Sequence, residues 1–129
     1  MTFGSLDFVY TPSNDPAADR DYFVNVLGAE EVFAIEAGEE RVAAVRLGDG
    51  PLLIFAGHLE GERPFLIYRA EDFDAALKEI ESSGWEPAER FEIPHGPCCT
   101  FETPGRHRIG VYQLTRPEVG DHFAGRKDF

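Results

Sequence analysis

The order of predicted elements repeats along the chain, and this repeat constrains the fold more than any single motif. Residues 6–55 are patterned as strand, helix and further strand, and residues 64–112 follow the same order with a shift of roughly 56 positions. Each predicted helix ends at a glycine, Gly28 in the first copy and Gly84 in the second. Duplication predicts two similar half-sheets with a cleft between or within them, where a small molecule can bind.

Both helices carry start signals and an apolar side. Asn14 or Asp15 can accept hydrogen bonds from free backbone N–H groups, and Pro16 suits the first helical position. The apolar residues of the first helix are expected on one side: Tyr22, Phe23, Val26 and Leu27. The second helix has a clearer apolar face, spaced i, i+3, i+4 and i+7: Phe73, Ala76, Leu77 and Ile80. Each helix therefore has one face to bury against a sheet.

Alternation along two later segments predicts which strand residues face the helices. Ala43, Val45 and Leu47 share one face in the first copy, and Cys99 and Phe101 share one in the second. The repeat aligns these two faces, so both are expected to point at the helices. The remaining residues are then expected on the concave side of the sheet: Val42, Ala44, Arg46, Cys98, Thr100 and Glu102.

The charge balance excludes several classes of partner. The chain has 24 acidic and 12 basic residues, which gives a formal net charge of −12. Such a surface repels phosphate backbones and anionic lipids, so neither nucleic acid nor a membrane is an expected partner. No secretory signal or membrane-span pattern is visible, and the adjacent Cys98 and Cys99 are poorly placed to bridge each other. These features predict a cytoplasmic protein.

Three segments together resemble the vicinal oxygen chelate superfamily, which includes glyoxalases, bleomycin-resistance proteins and extradiol dioxygenases. They are the first helix with its Leu27-Gly28 exit, the opening of the second copy at 65–77, and the final turn and strand at 103–112. The resemblance covers residues 6–117. It implies an α+β fold in which two βαβββ modules form one curled, eight-stranded mixed sheet around a pocket, with the helices on the convex side. A ferredoxin-like sandwich is the alternative, but it has too few strands for the long stretches after each helix.

The domain organisation follows from the repeat and the resemblance. One domain is expected over 1–129, with module one at about 5–57, module two at about 64–116 and a C-terminal tail at 117–129. The tail carries two phenylalanines, so docking on the body or on a neighbouring subunit is favoured over fraying. The resemblance also implies a homodimer.

The metal site that the superfamily shares is predicted to be absent. Its enzymes hold one divalent metal ion with His, Glu or Gln side chains from inner strands, because such groups donate lone pairs to the cation. Carried over to this chain, the ligand positions fall on Phe8, near Phe65, and on Gly110 or Tyr112. No metal and no other cofactor is therefore expected. The less favoured alternative is a site rebuilt from other residues: His58, His95 and Glu102.

Aromatic, small and charged side chains are predicted to line the pocket: Phe8, Tyr10, Arg46, Phe65, Arg69, Cys98, Thr100 and Tyr112. The aromatic rings suit flat or apolar ligands, or they simply fill the sheet as core. The two arginines either bind a ligand carboxylate or phosphate, or form ion pairs with Glu102 or Glu36. The catalytic candidates are Glu102 and His95 as acid–base groups and Cys98 as a nucleophile, with His95 close to Cys98 in sequence as its base. For Cys98, an ordinary strand residue is the favoured interpretation.

These observations favour a metal-independent protein that binds an aromatic or partly apolar small molecule. It would sequester the compound, as the resemblance to bleomycin-resistance proteins implies, or sense or carry it. The alternative is a glyoxalase-, dioxygenase- or isomerase-type enzyme with a displaced metal site or metal-free acid–base groups. A third hypothesis is an interaction module whose pocket is filled.

Overall fold

A computed structural model describes residues 3–85 and 89–129. In chain order the elements are β1 (Leu6–Pro12), α1 (Pro16–Asn25), β2 (Glu30–Ala37), β3 (Glu40–Arg46), β4 (Leu52–Ala56), β5 (Phe65–Arg69), α2 (Phe73–Ser82), β6 (Glu89–Ile93), β7 (Gly96–Glu102), β8 (Arg108–Tyr112) and α3 (Glu118–Phe123). The predicted repeat is present. The starts of β3 and β4 recur 56 residues later in β7 and β8, and the start of α1 recurs 57 residues later in α2.

The eight strands form one open, mixed sheet in the order β2-β3-β4-β1-β5-β8-β7-β6. β1 and β5 pair antiparallel at the centre. Each of them pairs in parallel with the last strand of its own module, β4 or β8. This arrangement confirms the predicted α+β fold of two βαβββ modules, and its strand count rules out the ferredoxin-like alternative.

The second helix buries the face that its periodicity predicted. Asp72 caps α2 by accepting a hydrogen bond from the Ala75 N–H at 3.0 Å. The four apolar residues of the stripe are all buried against the inner strands of the second module. They form one cluster with strand residues from β7 and β8: Cys99, Phe101 and Val111.

The apolar side predicted for the first helix is correct only for Phe23, which packs on Phe55 with 4.9 Å between ring centroids. Asp15 caps α1 as expected, but the helix ends at Asn25, before Val26 and Leu27. Those two side chains and Tyr22 are 62%, 47% and 56% exposed. The buried positions are instead Pro16 and Arg20, because ion pairs with Asp21 and Glu31 and a hydrogen bond to the Phe129 carbonyl satisfy the guanidinium. A buried arginine that is fully partnered cannot be recognised from apolar periodicity.

Strand alternation assigns the two faces of the sheet correctly. Ala43 and Val45 pack with Phe55 beneath α1, as Cys99 and Phe101 pack beneath α2. The opposite face carries a third cluster, which includes buried residues from both modules: Phe8, Ala44, Ile54, Ile67, Cys98 and Tyr112. The sheet therefore has a helix-covered convex face and a separate concave face that is available for a site.

The C-terminal tail packs on the first module. Its backbone runs beside β2, where Lys127 forms a parallel bridge with Ala34. Phe123 packs against Phe33 on the concave face, with 5.8 Å between ring centroids. Phe129 packs on the convex side. The tail thus protects the outer edge of the sheet and adds one wall to the concave face. Within the described residues, no helix combines the length and apolarity that crossing a membrane requires.

Candidate ligand-binding site

The concave face encloses a cavity of about 740 Å³, most of whose lining is hydrocarbon. Six different strands each contribute an apolar side chain: Phe33, Val42, Ile54, Phe8, Phe65 and Phe91. Phe123 of the tail adds a further ring. A cavity of this size, with apolar walls and few polar groups, is typical of a small-molecule site.

Five of the eight predicted ligand-binding residues line this cavity: Phe8, Tyr10, Phe65, Cys98 and Thr100. The other three, Arg46, Arg69 and Tyr112, line a smaller neighbouring pocket of about 450 Å³. Phe8 and His95 line both spaces, so they form part of the wall between them. Glu102 lines neither, because it lies at the exposed end of β7 beside Arg106.

The polar groups on the cavity wall are poorly suited to ionise. Burial raises the pKa of the Tyr10 phenol to about 12. Burial likewise raises the pKa of the Cys98 thiol to about 12, with a further contribution from Cys99. Both groups are therefore neutral at physiological pH, and Cys98 has little of the thiolate that nucleophilic attack requires. Tyr10 remains a hydrogen-bond donor and acceptor.

Ile67 fills the middle of the concave face, directly over Gly110. An ideal Cβ built on Gly110 would lie only 2.6 Å from the Ile67 Cδ1 atom. The two residues are register partners on β5 and β8. Close side-chain packing, rather than an unusual backbone conformation, therefore disfavours a larger residue at Gly110, since its φ is not in the left-handed region.

The residues present do not fit the divalent metal ion that the superfamily resemblance implies. Phe8 stands at the first carried-over position, and the space at Gly110 is occupied by the Ile67 methyl group. Across residues 3–85 and 89–129, no three His, Cys, Asp or Glu side chains are grouped so that they could hold a metal ion. The rebuilt site considered for His58, His95 and Glu102 is thus not assembled. His58 lies 3.7 Å from Glu40 instead.

The smaller pocket contains a hydrogen-bonded network centred on Asp7. Its Oδ2 atom accepts from the Tyr112 hydroxyl at 2.5 Å and from the Arg69 Nε at 2.6 Å, and its Oδ1 accepts from Ser5. Burial alone would raise the pKa of Asp7, but these hydrogen bonds outweigh it and hold the pKa below its ordinary value of 3.8. Of the two alternatives considered for Arg69, the ion pair with Glu36 or Glu102 does not form, because Arg69 pairs with Asp7. Arg46 forms no ion pair with the described residues.

His95 lies at the junction of the two spaces. Its ring packs against Phe8 with 4.8 Å between centroids and lies 6.3 Å from Tyr112. Burial lowers its pKa, so the imidazole is neutral at physiological pH. Its Nδ1 atom is buried and has no hydrogen-bond partner among the described residues. The predicted pairing of His95 with Glu102 does not form, since Glu102 faces solvent.

Arg108 is a cavity residue that the sequence analysis missed. Its guanidinium lies 4.0 Å from the centroid of the Phe65 ring, and both side chains line the cavity. Alternation along β8 could have found it, because Tyr112 was predicted on the concave side and Arg108 lies four residues before it. No sequence signal placed Phe123, since its position depends on the path of the tail.

No protein-family model and no curated protein sequence matches the chain. Its paired βαβββ modules form the same fold as methylmalonyl-CoA epimerases of known structure. An epimerase of this kind from Mycobacterium tuberculosis superposes with a TM-score of 0.73 at 15% identity, covering 93% of each chain.

Two further structures illustrate the range of this likeness. A methylmalonyl-CoA epimerase from Streptomyces coelicolor, in complex with 2-nitronate-propionyl-CoA, has a TM-score of 0.68 at 14% identity, covering 88% of this chain and 96% of its own. An NAD-dependent benzaldehyde dehydrogenase from Legionella pneumophila has a TM-score of 0.62 at 16% identity, covering 84% and 98%. Identities this low show a shared fold only, so function must be argued from this chain's own residues.

Proposed function

We propose that the chain is a metal-independent receptor that binds an aromatic or partly apolar small molecule in its concave cavity, to sequester or to sense it. The observation that carries this proposal is the cavity of about 740 Å³, whose walls are hydrocarbon where a metal-dependent relative needs ligands. Aromatic walls favour planar ligands through stacking and dispersion, and they need no ion to do so. The open cavity argues against an interaction module with a filled pocket.

Comparison with the ligands bound in structures of the same fold helps to define the ligand class of this chain. Two of the epimerase structures contain CoA compounds, methylmalonyl-CoA in one and 2-nitronate-propionyl-CoA in the other. A CoA ester suits this chain poorly, because its phosphates would approach a protein of net charge −12 and a cavity lined by three exposed glutamates, Glu60, Glu89 and Glu92. A compact ligand of low charge fits the same space without that repulsion.

Metal-free acid–base catalysis is a second candidate function, and the position of His95 in the cavity wall favours it. A neutral imidazole in the wall of an apolar cavity can accept a proton from a bound substrate. Substitution of His95 by Gln distinguishes the two functions. If the protein is a receptor, wild type and His95→Gln both bind the ligand and neither converts it. If it is an enzyme, His95→Gln still binds the substrate but no longer turns it over.

The proposed function is tested by calorimetric and thermal-shift measurements with naphthalene derivatives and with Zn²⁺, Ni²⁺, Mn²⁺ and Fe²⁺. A ligand at one hundred times its Kd should stabilise the fold by about 2.7 kcal/mol, and the metal ions alone should not. Ala37→Trp places a large side chain at the exposed edge of the cavity and should weaken binding. Ala18→Trp, on the exposed side of α1, is the matched control. Stoichiometric metal binding, or the absence of any aromatic ligand, contradicts the proposal.

A homodimer remains part of this proposal, supported by the superfamily resemblance. Light scattering coupled to size-exclusion chromatography measures the mass directly. A mass of one 14.4 kDa chain at micromolar concentration would contradict it.

A further inference from the structure

One end of the cavity carries a cation that is held in place by backbone groups. Tyr10, Phe65 and Arg108 are successive register partners on β1, β5 and β8, so their side chains stand in one row on the concave face. The guanidinium of Arg108 stacks on the Phe65 ring. It donates to the carbonyl oxygens of Glu60, at 2.9 Å, and Arg63. These contacts fix the direction of the guanidinium without cancelling its charge.

No carboxylate of residues 3–85 and 89–129 lies within 4.0 Å of this guanidinium. Glu102, the register partner of Arg108 on β7, pairs with Arg106 at 3.4 Å instead. Burial lowers the pKa of Arg108, which indicates that the cation has lost part of its hydration. A partly desolvated charge interacts more strongly with an opposite charge than a fully solvated one does.

The other charged groups along the cavity lack this combination of burial and free charge. Arg126 is exposed and pairs with Asp128 at 2.8 Å. Glu92 is exposed and pairs with Arg116 at 2.7 Å. Glu60 and Glu89 are exposed, so water screens their charge. Arg108 is therefore the described group best placed to give a ligand a fixed orientation.

We propose that the ligand is an amphipathic organic monoanion, with a ring-bearing apolar body in the cavity and a carboxylate directed at Arg108. This inference rests on the proposed function and names the ligand class for the same site. A guanidinium binds carboxylates through two parallel N–H···O bonds, and stacking on Phe65 preorganises it for that geometry.

The net charge of the protein limits the ligand to a single negative charge. A formal charge of −12 and the glutamates at the cavity edge repel anions at long range. Salt screens this long-range repulsion, which sums over many charges, more strongly than it weakens the single direct contact at Arg108. The association rate of the monoanion should therefore rise with ionic strength, and polyanions should bind poorly.

Three isosteric compounds test this inference by calorimetry: 1-naphthoate, 1-naphthylmethanol and 1-naphthylmethylamine. The apolar body is the same in each, so wild-type protein should bind the carboxylate about tenfold more tightly than the alcohol and more tightly still than the amine. Equal or tighter binding of the alcohol or amine overturns the proposed ligand class and leaves the receptor function standing. Failure of all three to bind overturns both.

Arg108→Gln assigns the preference to this side chain. It should remove the tenfold preference for naphthoate and change the affinity for the alcohol less than threefold. Arg90→Gln removes the same charge from an exposed arginine that stacks on Phe73 outside the cavity, so it should leave the preference intact. If Arg108→Gln weakens both compounds equally, the role of Arg108 is packing alone and the inference fails. Arg108→Lys keeps the positive charge and should retain part of the preference for naphthoate. It tests the same inference if Arg108→Gln does not fold.

Discussion

Replacement of Gly110 by alanine tests the close packing of Ile67 on Gly110 at the middle of the concave face. The new methyl group would lie 2.6 Å from the Ile67 Cδ1 atom, a distance at which one of the two must move. Overpacking of this kind costs about 1–3 kcal/mol. The backbone at Gly110 is compatible with alanine. Alanine also lowers the conformational entropy of the unfolded chain, which stabilises the folded state by about 0.4–1 kcal/mol and offsets part of this loss. We expect a net loss of about 1 kcal/mol and a melting temperature lower by about 5 °C.

A double-mutant cycle isolates the contact between the two side chains. Ile67→Val removes the Cδ1 atom and costs about 0.5–1.5 kcal/mol by itself. In the double variant the alanine methyl group no longer meets that atom, so the two losses should not add, and a coupling energy of about 1 kcal/mol is expected. Gly120→Ala is the control, because a Cβ built there meets nothing within 4 Å. Urea unfolding of the four proteins measures the cycle, and strictly additive losses would refute the reasoning.

Further outcomes follow from the buried polar and aromatic groups. Folding raises the pKa of the Cys98 thiol from 9.0 to about 12. The neutral thiol therefore contributes to the free energy of unfolding below pH 9, and this contribution is lost as the pH rises from 9 to 12. Between neutral pH and pH 10, urea titrations should show that wild type loses about 1.4 kcal/mol more stability than Cys98→Ala. Tyr112→Phe removes a hydrogen bond to the Asp7 carboxylate and should cost about 1.5–3 kcal/mol in the same assay, while an unchanged midpoint would contradict that role. Phe129→Ala removes a ring that lies under two guanidinium groups and should lower stability by about 1–2 kcal/mol, measured by calorimetry.

The fold was predictable because its signals are local and occur twice. Helix caps at Asp15 and Asp72, the apolar stripe of α2 and strand alternation in β3 and β7 each depend on a few neighbouring residues. The first helix was less predictable. Its sheet-facing side includes Arg20, whose burial depends on partners that are far away in sequence, such as the Phe129 carbonyl.

The candidate site was predictable only where alternation is regular. Phe8 and Tyr10 line the cavity as the period of two requires. Asp7 should then point to the helices, but the pairing of β1 with β5 shifts register between Leu6 and Phe8. The irregularity lets Asp7 reach Tyr112, which lies on the concave face. A one-residue change of register reverses the side of every residue beyond it, so no pattern in the sequence could identify this network.

The centre and the end of the cavity supply different parts of the binding energy. At the centre, a carboxylate ligand to a metal would need a side chain at position 110, where the Ile67 methyl group now lies, and a donor in place of the Phe8 ring. At least three coupled changes would thus be needed before a cation could be held there. The centre therefore contributes mainly dispersion and apolar burial, together with neutral hydrogen-bonding groups at Tyr10 and His95, and it holds no charge that would orient an anion. Orientation must come from a charged group at one end, and Arg108 on Phe65 is the partly buried cation in the described cavity wall that can provide it.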